Sequence, residues 1–416
     1  MVSSSAEVAV TAPTSKGWMI PFVVTLIAMF SMQMAILGYA PLLPQIMQEF
    51  KFTYTELGLF TGAYGLMSLL LSVPAGMAIH RFNERRVLFW GLVIACIGIA
   101  CLGMAGGIVT AFLSLALWFT GYRFAFVGVL AALAFACPPE WRGRSFGILG
   151  AVSSFGVIIG APLGGYIGRS FGWRTAMLGF SCIAAATAVI FLASYRRKQV
   201  ALNKPARDNS KAVDAPPQRS PFRMPRVWGL AVVIGLTGLP SFGITFFVPS
   251  AGKLLFHLDG VSVGLLLSSG YLLAVGANLL GGYLMDRFDK WLVLFFLEVL
   301  IVPAALLMNL HSLMAFRVCA ALIIALSFTA TNAGYGTAGD VVKGMQTANV
   351  MGIVSLGAGV FGYLGPQLLG ILKDVSGTFA AGWCFIAAIA AATAIGAILL
   401  RNVRWDTPSS APNAIS

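Results

Sequence analysis

The chain is short of charge. Only 10% of its 416 residues are Asp, Glu, Lys or Arg, where a soluble domain of this size carries about 25%. It is shorter still of acids, with 14 against 27 Lys and Arg. Histidine occurs three times (His80, His257 and His311), each at a loop or span-end position. The six cysteines (Cys96, Cys101, Cys137, Cys182, Cys319 and Cys384) lie in or at the edge of apolar runs. None has the spacing of a metal finger, and none falls in an outer loop where it would cross-link, so they read as packing residues. No apolar run carries paired carboxylates or a His-Glu cluster, which argues against an enzyme, a metal site or a cofactor. No Gly-rich stretch ends in the Gly-Lys-Ser/Thr of a phosphate loop. An ATP-driven pump is therefore excluded unless a separate subunit supplies the motor. Residues 1–16, rich in Ser, Ala and Thr, lack the charged-then-apolar order of a cleaved signal, so the first apolar run is expected to act as the insertion signal.

What fills the space is apolar. The chain is 58% hydrophobic, with 47 glycines and a mean hydropathy of +0.88. A membrane span needs about 20 residues, and runs of that length recur from end to end. Twelve are expected, near 18–40, 54–79, 86–106, 110–137, 144–167, 174–194, 227–249, 261–285, 291–310, 314–338, 346–371 and 379–400. The formal charge of +13 would attract nucleic acid were it gathered on one surface. Instead, with both termini placed inside, the inner segments hold twenty Lys or Arg and the outer ones five: Lys51, Arg169, Arg174, Lys253 and Lys373. That asymmetry is the positive-inside rule. It places both termini in the cytoplasm of a multi-pass cell-membrane protein, a bacterial inner membrane being the expected setting, with the lipid bilayer and not nucleic acid as its partner. Five prolines and nine basic residues mark 195–226 as a cytoplasmic linker. The expected organisation is a tail (1–16), a first bundle (17–194), the linker, a second bundle (227–401) and a tail (402–416).

The two bundles repeat one plan. Gly76-Met-Ala-Ile-His80-Arg81-Phe82-Asn83-Glu84-Arg85-Arg86 joins the second and third runs. Its echo, Gly282-Tyr-Leu-Met-Asp286-Arg287-Phe288-Asp289-Lys290, joins the eighth and ninth, with the glycines 206 residues apart (282 − 76). Tyr271 matches Tyr64 at an offset of 207, and the glycines of the eleventh run echo those of the fifth. The molecule therefore reads as a duplicated membrane bundle. The two loops resemble Gly-x-x-x-Asp-Arg-x-Gly-x-Arg-Arg, the signature loop of the major facilitator superfamily. The second copy keeps Asp-Arg, and the first has His80 in the acid's place. Where the family has its later glycine, the copies have Asn83 and Asp289. The resemblance covers residues 17–403. It implies an all-α membrane fold of twelve transmembrane helices in two pseudo-symmetric six-helix bundles around a central cavity, working by alternating access.

It also implies a cytoplasmic gate at these loops: Gly76, Arg81, Arg85 and Arg86 facing Glu140 and the inner end of the eleventh span, and Gly282, Asp286 and Arg287 facing the fifth, with Arg142 or Arg144 as partners.

The deepest charge is Arg123, midway along the fourth run. A guanidinium at that depth costs several kcal/mol, from about 3 to above 10 by different measures, unless it meets water or a partner. The family often has an arginine here, within Leu-x-x-x-Arg-x-x-Gln-Gly; this chain has Phe126 in place of the glutamine and Gly128 one position late. By the repeat offset its counterpart is Phe328 (123 + 205). A charge present in one half only is explained more easily by a ligand than by a scaffold, although a buried ion pair or a bond to backbone carbonyls also accounts for it. A guanidinium can grip a carboxylate with two parallel hydrogen bonds, so Arg123 is the expected substrate anchor. Its neighbours Tyr122 and Phe124, 100° away on the helix, are expected to pack sideways. Gln33, Tyr64, Tyr271 and Asn332 are polar groups at span depth and further candidate substrate contacts. Glu298 in the ninth run is a candidate proton carrier, with a structural hydrogen bond as the simpler account. The leading expectation is a secondary transporter, acting as a monomer, for a small organic anion of carboxylate type in symport with protons. The alternatives are efflux of drug-like or hydrophobic compounds by proton antiport, consistent with the glycine-proline element at Gly160-Ala161-Pro162, and a facilitator-like receptor or assembly factor that no longer transports.

Overall fold

The computed structural model describes residues 18–137, 142–195, 224–341 and 347–403, all helix and short turns. The helices are α1 (Met19–Gly38), a short α2 (Leu43–Phe50), α3 (Tyr54–Phe82), α4 (Glu84–Gly103), α5 (Ile108–Ala136), α6 (Arg142–Phe171) and α7 (Trp173–Ser194) in the first half. The second half holds α8 (Pro225–Phe256), α9 (Gly260–Arg287), α10 (Lys290–Leu307), α11 (Leu313–Val341), α12 (Thr347–Ser376) and α13 (Ala380–Arg401). Twelve candidate spans result, α1 and α2 forming one of them. Most have apolar side chains all round, as helices between a protein core and lipid must.

The observed helices overrun several expected bounds. Pro225 starts α8, two residues inside the expected linker, because proline suits a first helical position whose N–H has no partner anyway. The other end of α8 runs on through Pro249 to Phe256. Helix α4 starts at Glu84, so the first signature loop shrinks to Asn83 alone. Local caps fix some starts: Thr53 and Glu56 form a reciprocal capping box on α3, and Asp259 accepts from the Ser262 N–H at 2.9 Å on α9.

The halves meet through two helix pairs, α3 with α12 and α6 with α9, which the repeat exchanges. Small residues let the backbones touch. A Cβ on Gly65 would stand 2.3 Å from the Tyr363 nitrogen, and one on Gly58 2.6 Å from the Pro366 oxygen. Across the other pair, a Cβ on Gly165 would meet the Gly260 oxygen at 2.1 Å, and one on Gly264 the Ala161 oxygen at 2.5 Å. Such approach is how helices associate where no hydrophobic effect drives them together. Polar clasps finish this end: Asp374 accepts from the Tyr54 and Thr55 N–H groups at 3.1 and 2.7 Å, Arg169 pairs with Asp259, and Lys253 donates to Gln48 at 2.9 Å.

Towards the signature loops the same four helices diverge. Gly76 on α3, Gly147 and Gly150 on α6, Gly276 and Gly282 on α9 and Gly352 on α12 have nothing within 4 Å of a Cβ. Among the described residues, the halves are sealed together at the end of the 51–53, 257–259 and 377–379 turns, and the glycines show no such close approach between them at the signature-loop end.

Candidate functional site

Arg123 is the sixteenth residue of the 29-residue α5, about 20 Å from either end at 1.5 Å per residue. Its side chain is half-buried. Its Nη2 donates to Ser72 Oγ on α3 at 2.6 Å, and Ser72 passes its own hydrogen to the Ser68 carbonyl. The guanidinium carbon lies 5.7 Å from the Phe126 ring centre, one turn along the same helix, an attractive cation–π position. Nε is buried without a hydrogen-bond partner. One serine and one ring leave most of the fork's donors unused, and no acid among the described residues pairs with it. The buried-ion-pair account therefore has no support here. The site can grip an anion with the remaining donors.

Above Arg123, towards the sealed end, stands an aromatic ceiling. Tyr64 on α3 packs on Phe119 and Tyr122 of α5 at 5.4 and 5.6 Å and crosses to Phe242 of α8 at 5.4 Å. Tyr39, following α1, packs on Trp118 at 5.2 Å and crosses to Phe246 of α8 at 5.8 Å. These crossings join the two halves and separate the level of Arg123 from the sealed end.

Tyr122 departs from expectation. It packs on Tyr64 and Phe126 but also donates, from its buried position, to Gln33 Oε1 at 2.8 Å. Gln33 Nε2 in turn donates to Ser153 Oγ on α6 at 2.9 Å. With α5 flanked by α1, α3 and α4, a neighbour 100° round the helix still meets protein. Gln33 thus ties α1, α5 and α6 together, and Tyr122 is bonded to one of the candidate contacts that sequence reasoning set beside Arg123. Phe124 does turn outward, into a groove with α4. Ser72 was also missed: a serine on an apolar helix carries no signal until its partner is known.

In the second half, Tyr271 faces Thr245 with 3.2 Å between hydroxyls and packs on Phe328 at 5.8 Å. Asn332 donates to Asn278 at 3.1 Å, and Thr237 to Thr331 at 3.1 Å. These pairs satisfy one another, Ser327 and Thr329 beside them keep buried hydroxyls without a partner, and Phe328 holds the place of Arg123. Glu298 stands apart on α10, which packs on α11 and α13. It is fully buried, and neither carboxyl oxygen has a hydrogen-bond partner.

At the open end the signature loops are tied within their own halves. Arg85 donates to the Leu192 carbonyl of α7 at 3.1 Å, and Asp289 binds Arg401 of α13 at 3.1 Å. Arg81 lies over Phe82 and Arg287 over Tyr283. Arg86, Asp286 and Arg144 are exposed. Glu140 and the side chains of His80 and Arg142 lie outside the described residues. Asn83 has φ 72° and ψ 155°, a conformation essentially reserved for glycine, which explains why the resembling motif has a glycine there. Asp289 sits at φ −58° and caps α10 through the Trp291 and Leu292 N–H groups, so the second loop needs none.

Comparisons with known proteins agree with this architecture. The family model described as Major Facilitator Superfamily matches residues 22–339 and 253–415. Among curated relatives, the "Uncharacterized transporter YybO" of Bacillus subtilis is 26% identical over 81% of this chain and 83% of its own. From the same organism, "Multidrug resistance protein 1" is 22% identical over 80% of this chain and 85% of its own, and the "Hexuronate transporter" 22% over 85% and 88%. The crystal structure of a bacterial homolog to the human lysosomal transporter Spinster superposes with a TM-score of 0.72 at 14% identity, covering 93% of this chain and 96% of that one. Twelve apolar spans, a doubled signature loop and these matches lead to one conclusion: the chain belongs to the Major Facilitator Superfamily and is a multi-pass membrane transporter of a small molecule.

Proposed function

We propose that the protein carries a small organic anion of carboxylate type across the membrane by alternating access, in symport with protons. The observation that carries this reading is Arg123: a half-buried guanidinium at mid-span with one serine partner, beneath the aromatic ceiling and on the side open to the signature loops. The relative named for hexuronate, a carboxylated sugar, is in keeping with it. The excess of basic residues around the signature loops supports a cytoplasmic position for that end, and with it an inward-open conformation and two cytoplasmic termini. In the opposite state Arg81, Arg85, Arg86 and Arg144, with Asp286 and Arg287, close the cytoplasmic end from positions beside Gly76 and Gly282. Glu140 and Arg142 join them. Gln33, Tyr64, Tyr271 and Asn332 line the route, and Glu298 carries the coupled proton. One chain suffices for the cycle.

A second reading, export of hydrophobic compounds, is favoured by the aromatic ceiling and by the relative named for multidrug resistance. Proteoliposomes separate the two. The proposal expects labelled carboxylates to accumulate when the outside is acidified, and expects that uptake to vanish in Arg123→Ala. Pumping of a lipophilic cation, with carboxylates ignored, would support export instead.

A further inference from the structure

A groove of about 440 Å³ lies between the signature-loop end of α3 and α4, floored by α5, and lined by Ala78, Phe82, Arg86, Trp90, Ile94 and Phe124 among others. Helix α4 packs mainly on α5 and α7 of its own half, so the groove faces away from the path between the halves. Phe82 and Trp90 border it 47% and 59% exposed, as side chains against lipid are. Arg86 stands at its loop end, exposed and with no hydrogen-bond or ion-pair partner among the described residues. Arg81 lies over Phe82, 5.3 Å from its ring centre, at the same mouth, and the nearby acid Glu84 is buried. From Arg86 to Ile94 the wall rises about 12 Å, and Phe124 adjoins Arg123 at mid-span. The groove is thus one leaflet deep, about half of a 30 Å hydrocarbon core, with cationic groups at the water and apolar walls beneath. In the second half Leu292 stands at the position equivalent to Arg86 (86 + 206), so the bundle repeat does not require the charge.

We propose that this groove binds an anionic phospholipid, its phosphate on Arg86 with Arg81 adding charge, and one acyl chain along Val87, Trp90, Ile94 and Phe124. A basic residue at the membrane surface strengthens binding of an anionic lipid by about fivefold.

The test uses the full chain purified in a neutral detergent. Phosphatidylglycerol is expected to raise the melting temperature more than phosphatidylcholine with the same acyl chains, and Arg86→Gln to weaken the apparent phosphatidylglycerol affinity about fivefold. Lys51→Gln, at the sealed end, should leave it unchanged. Phosphatidylglycerol brominated on its acyl chain should quench part of the tryptophan emission, and Trp90→Phe should remove that part. Equal stabilisation by the two lipids, or a phosphatidylglycerol preference undiminished by Arg86→Gln, would overturn the proposal. So would inorganic phosphate reproducing the effect, which would mark a simple anion site, or quenching unaltered by Trp90→Phe.

Discussion

The two halves share a scaffold and differ at the site. In each, a glycine-lined helix crosses to the partner half, an aromatic residue (Tyr64 or Tyr271) faces the centre, and the signature loop is tied to the last helix of its own bundle. At mid-span they part. The first half presents Arg123 with most of its donors unused, whereas the second presents Phe328 against Tyr271, with no charge at that depth and with Tyr271 and Asn332 already paired. Under the proposed function, symmetry serves the movement, which needs two equivalent rocking bodies, and asymmetry serves recognition.

If the scaffold is symmetric, damage to either crossing should be equivalent, and here the largest effects are expected. Gly65→Leu drives a side chain into the Tyr363 backbone, and Gly264→Leu one into Ala161. Each overpacked contact costs about 1–3 kcal/mol, so the sealed population should fall roughly 5- to 150-fold. Spin-label distances across the sealed end should lengthen alike in both variants, and transport should fall with them. Gly76→Leu, in open space, should leave these distances unchanged. An effect from one crossing alone would break the symmetric account.

The site asymmetry should appear next. Gln33→Leu removes the acceptor of Tyr122 and the donor to Ser153, leaving a buried hydroxyl unpaired at a cost of about 1–3 kcal/mol. Tyr271→Phe removes one bond to Thr245, worth about 0.5–1.5 kcal/mol. Thermal unfolding of the two variants should rank them in that order.

The signature loops should respond with opposite signs. Asn83→Gly relieves a backbone conformation that costs a side-chain-bearing residue about 1–3 kcal/mol and should raise the melting temperature. Asp289→Ala loses the α10 cap and should destabilise by about 1 kcal/mol. A change of like sign in both would contradict the backbone explanation.

The smallest effect belongs to Asp259. Hydrogen bonds from Ser262, and then the charge of Arg169, hold its carboxyl below the usual aspartate range. The stabilisation is therefore complete above the ordinary pKa of about 3.9 and is lost as pH falls through the lower folded value. Asp259→Asn should cost about 0.2–1 kcal/mol at neutral pH, as exposed pairs do. Its melting curve should converge with that of the wild type in acid.

Much of this architecture was legible in the residues. Span number and the repeat followed from apolar length and from Gly76 and Gly282, because a bilayer imposes a fixed span length. The depth of Arg123 followed from its helix. What contacts that depth held did not: Ser72, Tyr122 and the ceiling from Tyr39 to Phe246 are set by helix-to-helix register, which no single helix encodes. The positive φ of Asn83 was hidden for a different reason, since asparagine is an ordinary loop residue and only the motif's glycine marked the spot. Helix ends such as that of α8 at Phe256 were missed because a helix can continue through proline when neighbours cover the freed carbonyl.

The central claim is that anion recognition resides in Arg123 and not in the half that carries Phe328. Equilibrium binding of a small carboxylate to purified wild type, Arg123→Lys, Arg123→Ala and Phe328→Ala tests it most directly. The account predicts loss of binding in folded Arg123→Ala, weakened binding in Arg123→Lys, which keeps the charge but not the fork, and retained binding in Phe328→Ala. Wild-type affinity for the carboxylate in a folded Arg123→Ala protein would contradict it.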